Sequence, residues 1–485
     1  MLYYKVILIL VYFALLLPAL PPVFLPLFEP YTFGKTVLFE IAAELMLLLL
    51  LFGVRLRTIP WSNIAKPIIL LSIAFSLSMA LGAHPLEGLW GSSARMDGLF
   101  TLLHFVVFFF VLATAIKGER EWRNMMRWSV GASVFVVLYG LAQWFELPFV
   151  VSSNGEIFST LGNPAYLATY LLFHVFISLY LMRGAASKEA RAWYAIAAML
   201  AAIVVVLTQV SAALAGLAAG LCVAAYPYCR VRIASVHAFA AIGIALTIIP
   251  LFFANPHFEK LAPFGGANAL AIETRLRAWN IAAQATLAHP LFGHGPNQFE
   301  RTFLNYKSKG YAVPDTGETF DKPHNAFLEI AFSYGLLGLA AYLYLLWVVF
   351  SRIGKISDTK ERWTFRGALV SYLVSIFFLF DTFSSLLMFF FLLAFLASPP
   401  PVGFPPPHPK TRIYGFLGGA LFTVFFFMFH FAPLYSAYFA HQFFARATET
   451  GKTDHTLKNR ALQYDSFNRP FIERAIYITE QNLKK

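Results

Sequence analysis

Thirteen apolar runs, each close to the length of a bilayer span, constrain this chain more than any other feature. They cover approximately residues 5–27, 35–54, 64–83, 99–116, 128–147, 165–182, 192–208, 211–228, 233–253, 324–351, 364–381, 383–398 and 413–432. A span needs ~20 apolar residues, and in lipid each backbone polar group must be satisfied within its own segment, so repeated runs of this length mean helices. With 59% hydrophobic and only 13% charged residues, the chain is excluded from the water-soluble globular class. The expected fold class is an all-α polytopic integral membrane protein of about 12–13 transmembrane helices. Pro18, Pro21, Pro22 and Pro26 interrupt the first run, which lacks a small-residue cleavage pattern and reads as a retained, kinked span. Hardly any loop separates the seventh and eighth runs at Gln209 and Val210, or the eleventh and twelfth at Asp381.

Charge placement gives the expected orientation, because short cytoplasmic loops are enriched in Lys and Arg. Arg55, Arg57 and Lys66 follow the second run, Lys117, Arg120, Arg123 and Arg127 the fourth, and Arg183, Lys188 and Arg191 the sixth. Arg230 and Arg232 follow the eighth, Arg352, Lys355, Lys360, Arg362 and Arg366 the tenth, and Lys410 and Arg412 precede the thirteenth. These alternate loops hold 19 of the 37 Lys and Arg, whereas the short loops between them carry only Lys35 and Arg95. The amino terminus is therefore expected inside and the loop from Asn255 to Pro323 outside. The net charge of +12 records this topology and contact with membrane lipids, not nucleic acid.

The expected units are a membrane domain over 1–253, a large helical outer loop over 254–323 between spans nine and ten, a second membrane part over 324–432, and a helical tail over 433–485. Within the loop, Leu276, Trp279, Ile281, Ala283 and Leu287 interleave with Arg275, Arg277, Asn280 and Gln284, which predicts an amphipathic helix in the membrane interface. Phe299, Phe303 and Tyr306 predict a second. The tail predicts two or three short helices joined at Gly451 and near Asn468, weakly similar to tetratricopeptide helices, and docked on the membrane domain or a partner. Cys222 and Cys229 read as reduced residues of the span core.

His324 stands where the polar loop turns into the tenth run. Asp321 is a candidate N-cap, Pro323 suits a first helical turn, and the positive end of the helix disfavours imidazolium, so a neutral ring able to accept a proton is expected. A general base is one reading; a histidine that merely marks the water interface is the other. Arg95, in GSSARMDGLF, and Arg275, in ETRLRAWNIA, with Arg277 as its alternate, suit phosphate oxygens through fork geometry and permanent charge, or anchor lipid headgroups. Glu40 and Glu44, four apart in the second run, are candidates for a proton path, while Glu329 and Asp381 read as hydrogen-bond acceptors. His289 and His294 match no metal-ligand spacing, and the chain shows no phosphate-cradling glycine loop.

Four stretches resemble the O-antigen ligase and polymerase superfamily of bacterial membrane glycosyltransferases: GSSARMDGLF at 91–100, STLGNPAYLATYL at 159–171, TRLRAWNIAAQATLAHPLFGHGPNQF at 274–299, and DKPHNAFLEIAFSYGLLGLAAYL at 321–343. The resemblance covers most of residues 30–400 and leaves the tail outside. It implies a GT-C-like membrane enzyme on the outer face of the cytoplasmic membrane that moves a glycan from an undecaprenyl-pyrophosphate carrier to a hydroxyl of a lipid, glycan or protein. It further implies inverting, metal-independent chemistry without a cofactor. Carried onto this chain, His324 is the base and Arg95 and Arg275 hold the pyrophosphate, with Arg277, Lys322, Asn325, Asn297 and Asp321 in support. Two departures reduce the arginine count: TQVSAALAG places Val210 or Ser211 where relatives have an arginine, and SSNGEIF lacks another before TLGNP. Lys322, Arg277 and Lys260 are the candidates to compensate.

A ligase of lipid-linked glycans, as in lipopolysaccharide biosynthesis, is the favoured expectation. A polymerase and a protein O-oligosaccharyltransferase share its chemistry and differ in the acceptor. A lipid-linked glycan transporter coupled through Glu40, Glu44 and Glu329 is the reading from another class, but the inverted repeats it calls for are not evident. An inactive scaffold is a third.

Overall fold

The computed structural model describes residues 2–53, 62–116, 118–151, 155–228, 267–308, 320–398, 411–464 and 466–483. Among them the chain is helical, without a strand. The helices are α1 (Leu2–Leu16), α2 (Phe33–Gly53), α3 (Ala65–Leu81), α4 (Pro85–Trp90), α5 (Leu99–Ala115), α6 (Glu119–Trp144), α7 (Pro164–Arg183), α8 (Lys188–Leu207), α9 (Ser211–Ala225), α10 (Ala267–Ala288), α11 (Phe299–Ser308), α12 (Ala326–Gly354), α13 (Thr359–Phe377), α14 (Phe383–Ala397), α15 (Thr411–Phe426), α16 (Ala432–Thr450), α17 (His455–Ala461) and α18 (Arg469–Asn482). Among the described residues, six stretches are long and apolar enough to cross a membrane: α6, α7, α8, Ser211–Tyr228, α12 and Leu417–Thr450. Shorter apolar helices lie at Tyr3–Ala19, Ala65–Leu81, Leu99–Ala115 and Phe383–Ala397. The chain is a multi-pass membrane protein. The expected ninth span, 233–253, and Cys229 lie outside the described residues, and Cys222 is exposed rather than in the core.

Residues of α1, α2, α5, α6, α7 and α14 share one buried apolar cluster, with Phe39, Phe105, Phe108 and Phe390 among its rings. Close packing of large rings supplies the contact energy that the hydrophobic effect cannot supply between lipid-embedded helices. The two carboxylates of α2 have partners in the bundle. Glu44 Oε1 faces His104 Nε2 at 3.0 Å and His430 Nε2 at 2.8 Å, and the Thr101 hydroxyl donates to Glu40 Oε1 at 2.7 Å. A single π turn at Phe427–Phe431 carries His430 to this cluster, as such turns often re-aim a side chain. The helix then continues into α16, so no break separates the last span from the tail at residue 433. Gly451 ends α16 in the left-handed conformation, and the tail folds back on the membrane part: the Phe28 N–H donates to the Ala437 carbonyl at 2.9 Å, and Phe467 stacks on Trp90.

The loop 290–295 and helix α12 interlock. The N–H groups of His294 and Gly295 donate to the carbonyls of Phe332 and Ser333, each at 2.9 Å, and Leu336 N–H donates to the Pro290 carbonyl at 2.7 Å. These bonds satisfy backbone groups that a break in the helix would otherwise orphan. The break is at Gly335 (φ 68°), so the tenth run is two helical pieces rather than one continuous helix. A Cβ on Gly335 would lie 2.2 Å from the Leu291 carbonyl oxygen, and one on Gly293 (φ 72°) 2.4 Å from that of Phe332. The glycines of HPLFGHG and SYGLLG are thus required by each other's backbone. Gly335→Ala is expected to cost roughly 3 kcal/mol or more through the forced φ and the clash. Gly131→Ala, a helical position with nothing within 4 Å of its Cβ, should be neutral or slightly stabilising. Thermal unfolding of both variants in detergent checks the contrast; equal melting temperatures would refute it.

The outer-loop helices form, but α10 buries Ala278, Ile281, Ala282 and Ala285 against Phe299, Phe303 and Phe332. Leu276 and Leu287, two of the apolar residues expected in the membrane interface, are 45% and 75% exposed. The small-residue stripe Ala278, Ala282 and Ala285 allows α10 to lie close against α12.

Candidate functional site

The loops 91–98, 320–325 and 378–382 meet at one end of the bundle, and Phe380 lies at their centre. The Arg95 guanidinium carbon lies 4.3 Å and the Lys322 ammonium 5.6 Å from its ring centroid, and the His324 ring packs edge-on to it at 5.2 Å. Facing such a ring draws cations together without neutralising them. Phe380 carried no periodic or motif signal in the sequence.

His324 does not begin the helix. Asn325 is the N-cap, its Oδ1 accepting from the N–H groups of Phe327 and Leu328 at 3.0 Å each. The expected cap, Asp321, lies four residues earlier and is used differently, and Pro323 falls outside the first turn. His324 adopts φ 54°, one of three left-handed non-glycine residues around the site with Met96 (φ 50°) and Asn297 (φ 59°). Such conformations persist only where the surroundings hold them. His324 Nδ1 lies 3.0 Å from the Lys322 carbonyl oxygen. A carbonyl can only accept, so Nδ1 carries the hydrogen and Nε2 keeps its lone pair. Burial lowers the pKa of the ring below the usual histidine value; the Lys322 carbonyl opposes this, and the charge of Arg275 reinforces it.

Arg95 is held by two partners. Its Nε donates to Asp321 Oδ2 at 2.8 Å and Nη2 pairs with the same oxygen at 2.7 Å, while Nη1 donates to the Tyr166 hydroxyl. Tyr166 belongs to the STLGNPAYL stretch, whose turn is anchored by the fully buried Lys35 donating to the Pro18 and Thr160 carbonyls. Lys322 is deeply buried between Asp97 Oδ2, at 2.6 Å, and Glu329 Oε1. Burial disfavours its charge, yet the two carboxylates hold its pKa above the ordinary lysine value. Burial would raise the Asp97 carboxyl, but the Lys322 ammonium holds it below the usual range, helped by Arg95 and by the neighbouring Asn297 side chain. Lys322 is therefore committed to tying three segments together, and is not a spare cation. Asp97 was missed in the sequence, although it stands two residues after Arg95.

Arg275, half-buried on α10, is near enough for its charge to act on His324 and makes no ion pair among the described residues. Arg277 is half-buried on the same helix, and Lys260 lies outside the described residues. The structure thus brings together His324, Arg95, Asp321, Lys322 and Asn325, with Arg275 and Asn297 alongside. His294, by contrast, stacks on Phe332 at 4.7 Å and bonds the Ala285 carbonyl through Nε2 at 2.9 Å, which makes it a packing residue of the interlocked loop. Among the described residues no group of three or more His, Cys, Asp or Glu could hold a metal ion.

Residues 196–343 match the family model described as O-antigen ligase. No curated protein matches the chain. The matched stretch contains α10, the interlocked loop, the His324 turn and the break at Gly335, while Arg95, Tyr166 and Phe380 come from segments outside it. Residues 196–343, less than a third of the chain, are similar to the O-antigen ligase domain, and this match supports the O-antigen ligase superfamily.

Proposed function

We propose that this protein is a glycosyltransferase of the O-antigen ligase type, which transfers a glycan from an undecaprenyl-pyrophosphate carrier to an acceptor hydroxyl at the outer face of the cytoplasmic membrane. The observation that carries the proposal is His324, its pKa lowered and its Nε2 free, within reach of the charges of Arg95 in the 91–98 loop and Arg275 on α10. In this reading the acceptor O–H gives its proton to His324 Nε2, the oxygen attacks the anomeric carbon from the face opposite the carrier, and the bond from that carbon to the pyrophosphate oxygen breaks. The electron pair leaves with the pyrophosphate, and the configuration inverts. Arg95 and Arg275 hold that anion and stabilise the charge gained as it leaves; such preorganised donors are worth most in a site shielded from water. Asp321 and Tyr166 fix the direction of the Arg95 fork.

Purified protein supplied with undecaprenyl-pyrophosphate-linked oligosaccharide and a panel of lipid, glycan and peptide acceptors tests the reading. Expected is release of undecaprenyl pyrophosphate matched by a product heavier by the glycan mass; carrier movement across the bilayer without a new glycosidic bond would replace it with the transporter reading. The pH profile follows from the base. His324 must be neutral to act, and its pKa is lowered, so transfer should be constant from above pH ~7 down past the usual histidine value of ~6.5, and fall only at more acid pH.

A further inference from the structure

At the end of the bundle opposite His324, a crevice of about 610 Å³ opens between the start of α3, the last turns of α12 and the end of α14. The distance from one end to the other along α12 is set by its 29 residues, at ~1.5 Å each. Lys66, Arg352 and Lys355 line the crevice, together with Ser62, Asn63, Ser351 and Ser398, and among the described residues no Asp or Glu lines it. Arg352 is steadied by its Nε donating to the Leu396 carbonyl at 2.9 Å, which leaves the rest of its fork open. On α12 the lining residues Tyr344, Trp347, Ser351, Arg352 and Lys355 recur at helical spacing and form one stripe. Along that stripe the chemistry changes from aromatic to hydroxyl to cationic. Tyr344 and Trp347 are stacked, and Trp347 is 65% exposed. A free phosphate needs only the cationic end. The whole gradient, over about 16 Å from Tyr344 to Lys355, matches a molecule with an anionic head, a polar backbone and an apolar chain.

We propose that this crevice is a binding site for an anionic glycerophospholipid, with the phosphodiester at Lys66, Arg352 and Lys355 and the first part of an acyl chain along Tyr344 and Trp347. Basic pockets between spans suit such headgroups, and the α3 amino terminus adds oriented N–H groups. The site stands apart from the transfer chemistry and does not depend on it.

Native mass spectrometry of the full chain in detergent, titrated with phosphatidylglycerol or phosphatidylcholine, tests the assignment. Wild type should retain phosphatidylglycerol in preference, and the double variant Lys66→Gln with Lys355→Gln should weaken it by roughly 10-fold with phosphatidylcholine unchanged. Trp347→Ala should weaken both lipids without any change of charge. The pair Arg120→Gln with Arg191→Gln removes the same charge from exposed positions elsewhere and should leave binding intact. If that pair weakens binding as much, the attraction is diffuse surface charge and the proposal is overturned. If inorganic phosphate displaces the lipid at equal concentration, the crevice is a site for a free anion and not for a lipid.

Discussion

Replacing His324 with alanine is expected to slow glycan transfer by roughly 10²–10⁴-fold, the usual range for loss of a positioned base, while carrier-linked donor still binds. The separation of effects follows from the geometry. The ring touches no cation directly, and its polar contact is the Lys322 carbonyl, so its removal leaves Arg95 on Asp321 and Tyr166, and Arg275 on α10. A KM for donor within about threefold of wild type alongside the loss in kcat would locate the defect in a step after binding. The acid limb of the pH profile should also vanish in the residual activity, because the titrating group is gone. Asn325→Ala supplies the contrast: it removes the helix cap, costs about 1 kcal/mol of stability, and disturbs the His324 turn without deleting the base, so its residual activity should keep the acid limb. Transfer at wild-type rates by His324→Ala would show that another group takes the proton.

The sequence was most informative where a physical rule acts locally. Apolar length places helices at nearly every run that falls on described residues, and the polar-to-apolar change at residue 324 marks a helix start to within two residues of Ala326. The histidine was singled out by its place at that boundary, where a base and a marker of the water interface were both open readings. The assignment of Asp321 as the cap failed because Asp321 and Asn325 both carry capping side chains, and what separates them is Arg95, 226 residues earlier in the chain, which takes the aspartate for itself. The Gly335 break was hidden for a similar reason. A glycine within an apolar run reads as a small packing residue, and only the carbonyl of Leu291 pressed against it shows that no side chain fits there. Phe380 was one of many phenylalanines until the fold set three site residues on its ring.

The second large effect concerns Lys322, which neither attacks nor binds in the proposed reaction. Lys322→Met leaves Asp97 and Glu329 facing each other with their cation removed; their side chains are only 15% and 22% exposed, and breaking a buried pair from one side costs about 3–5 kcal/mol. The loss should appear as a lower melting temperature and as lower transfer, because residue 322 also supplies the carbonyl that fixes the His324 tautomer. The two consequences can be separated. Adding Asp97→Asn and Glu329→Gln to Lys322→Met removes the unpaired charges and should restore most of the melting temperature, since the three groups act as one unit and their effects are not additive. Transfer should recover less, because neutral side chains in that space no longer hold the 91–98 loop, and with it Arg95, against the turn that carries His324. A Lys322→Met variant as stable as wild type would mean that water already screens the two carboxylates, and would remove the ground for treating this ion cluster as the fastening between the arginine loop and the base.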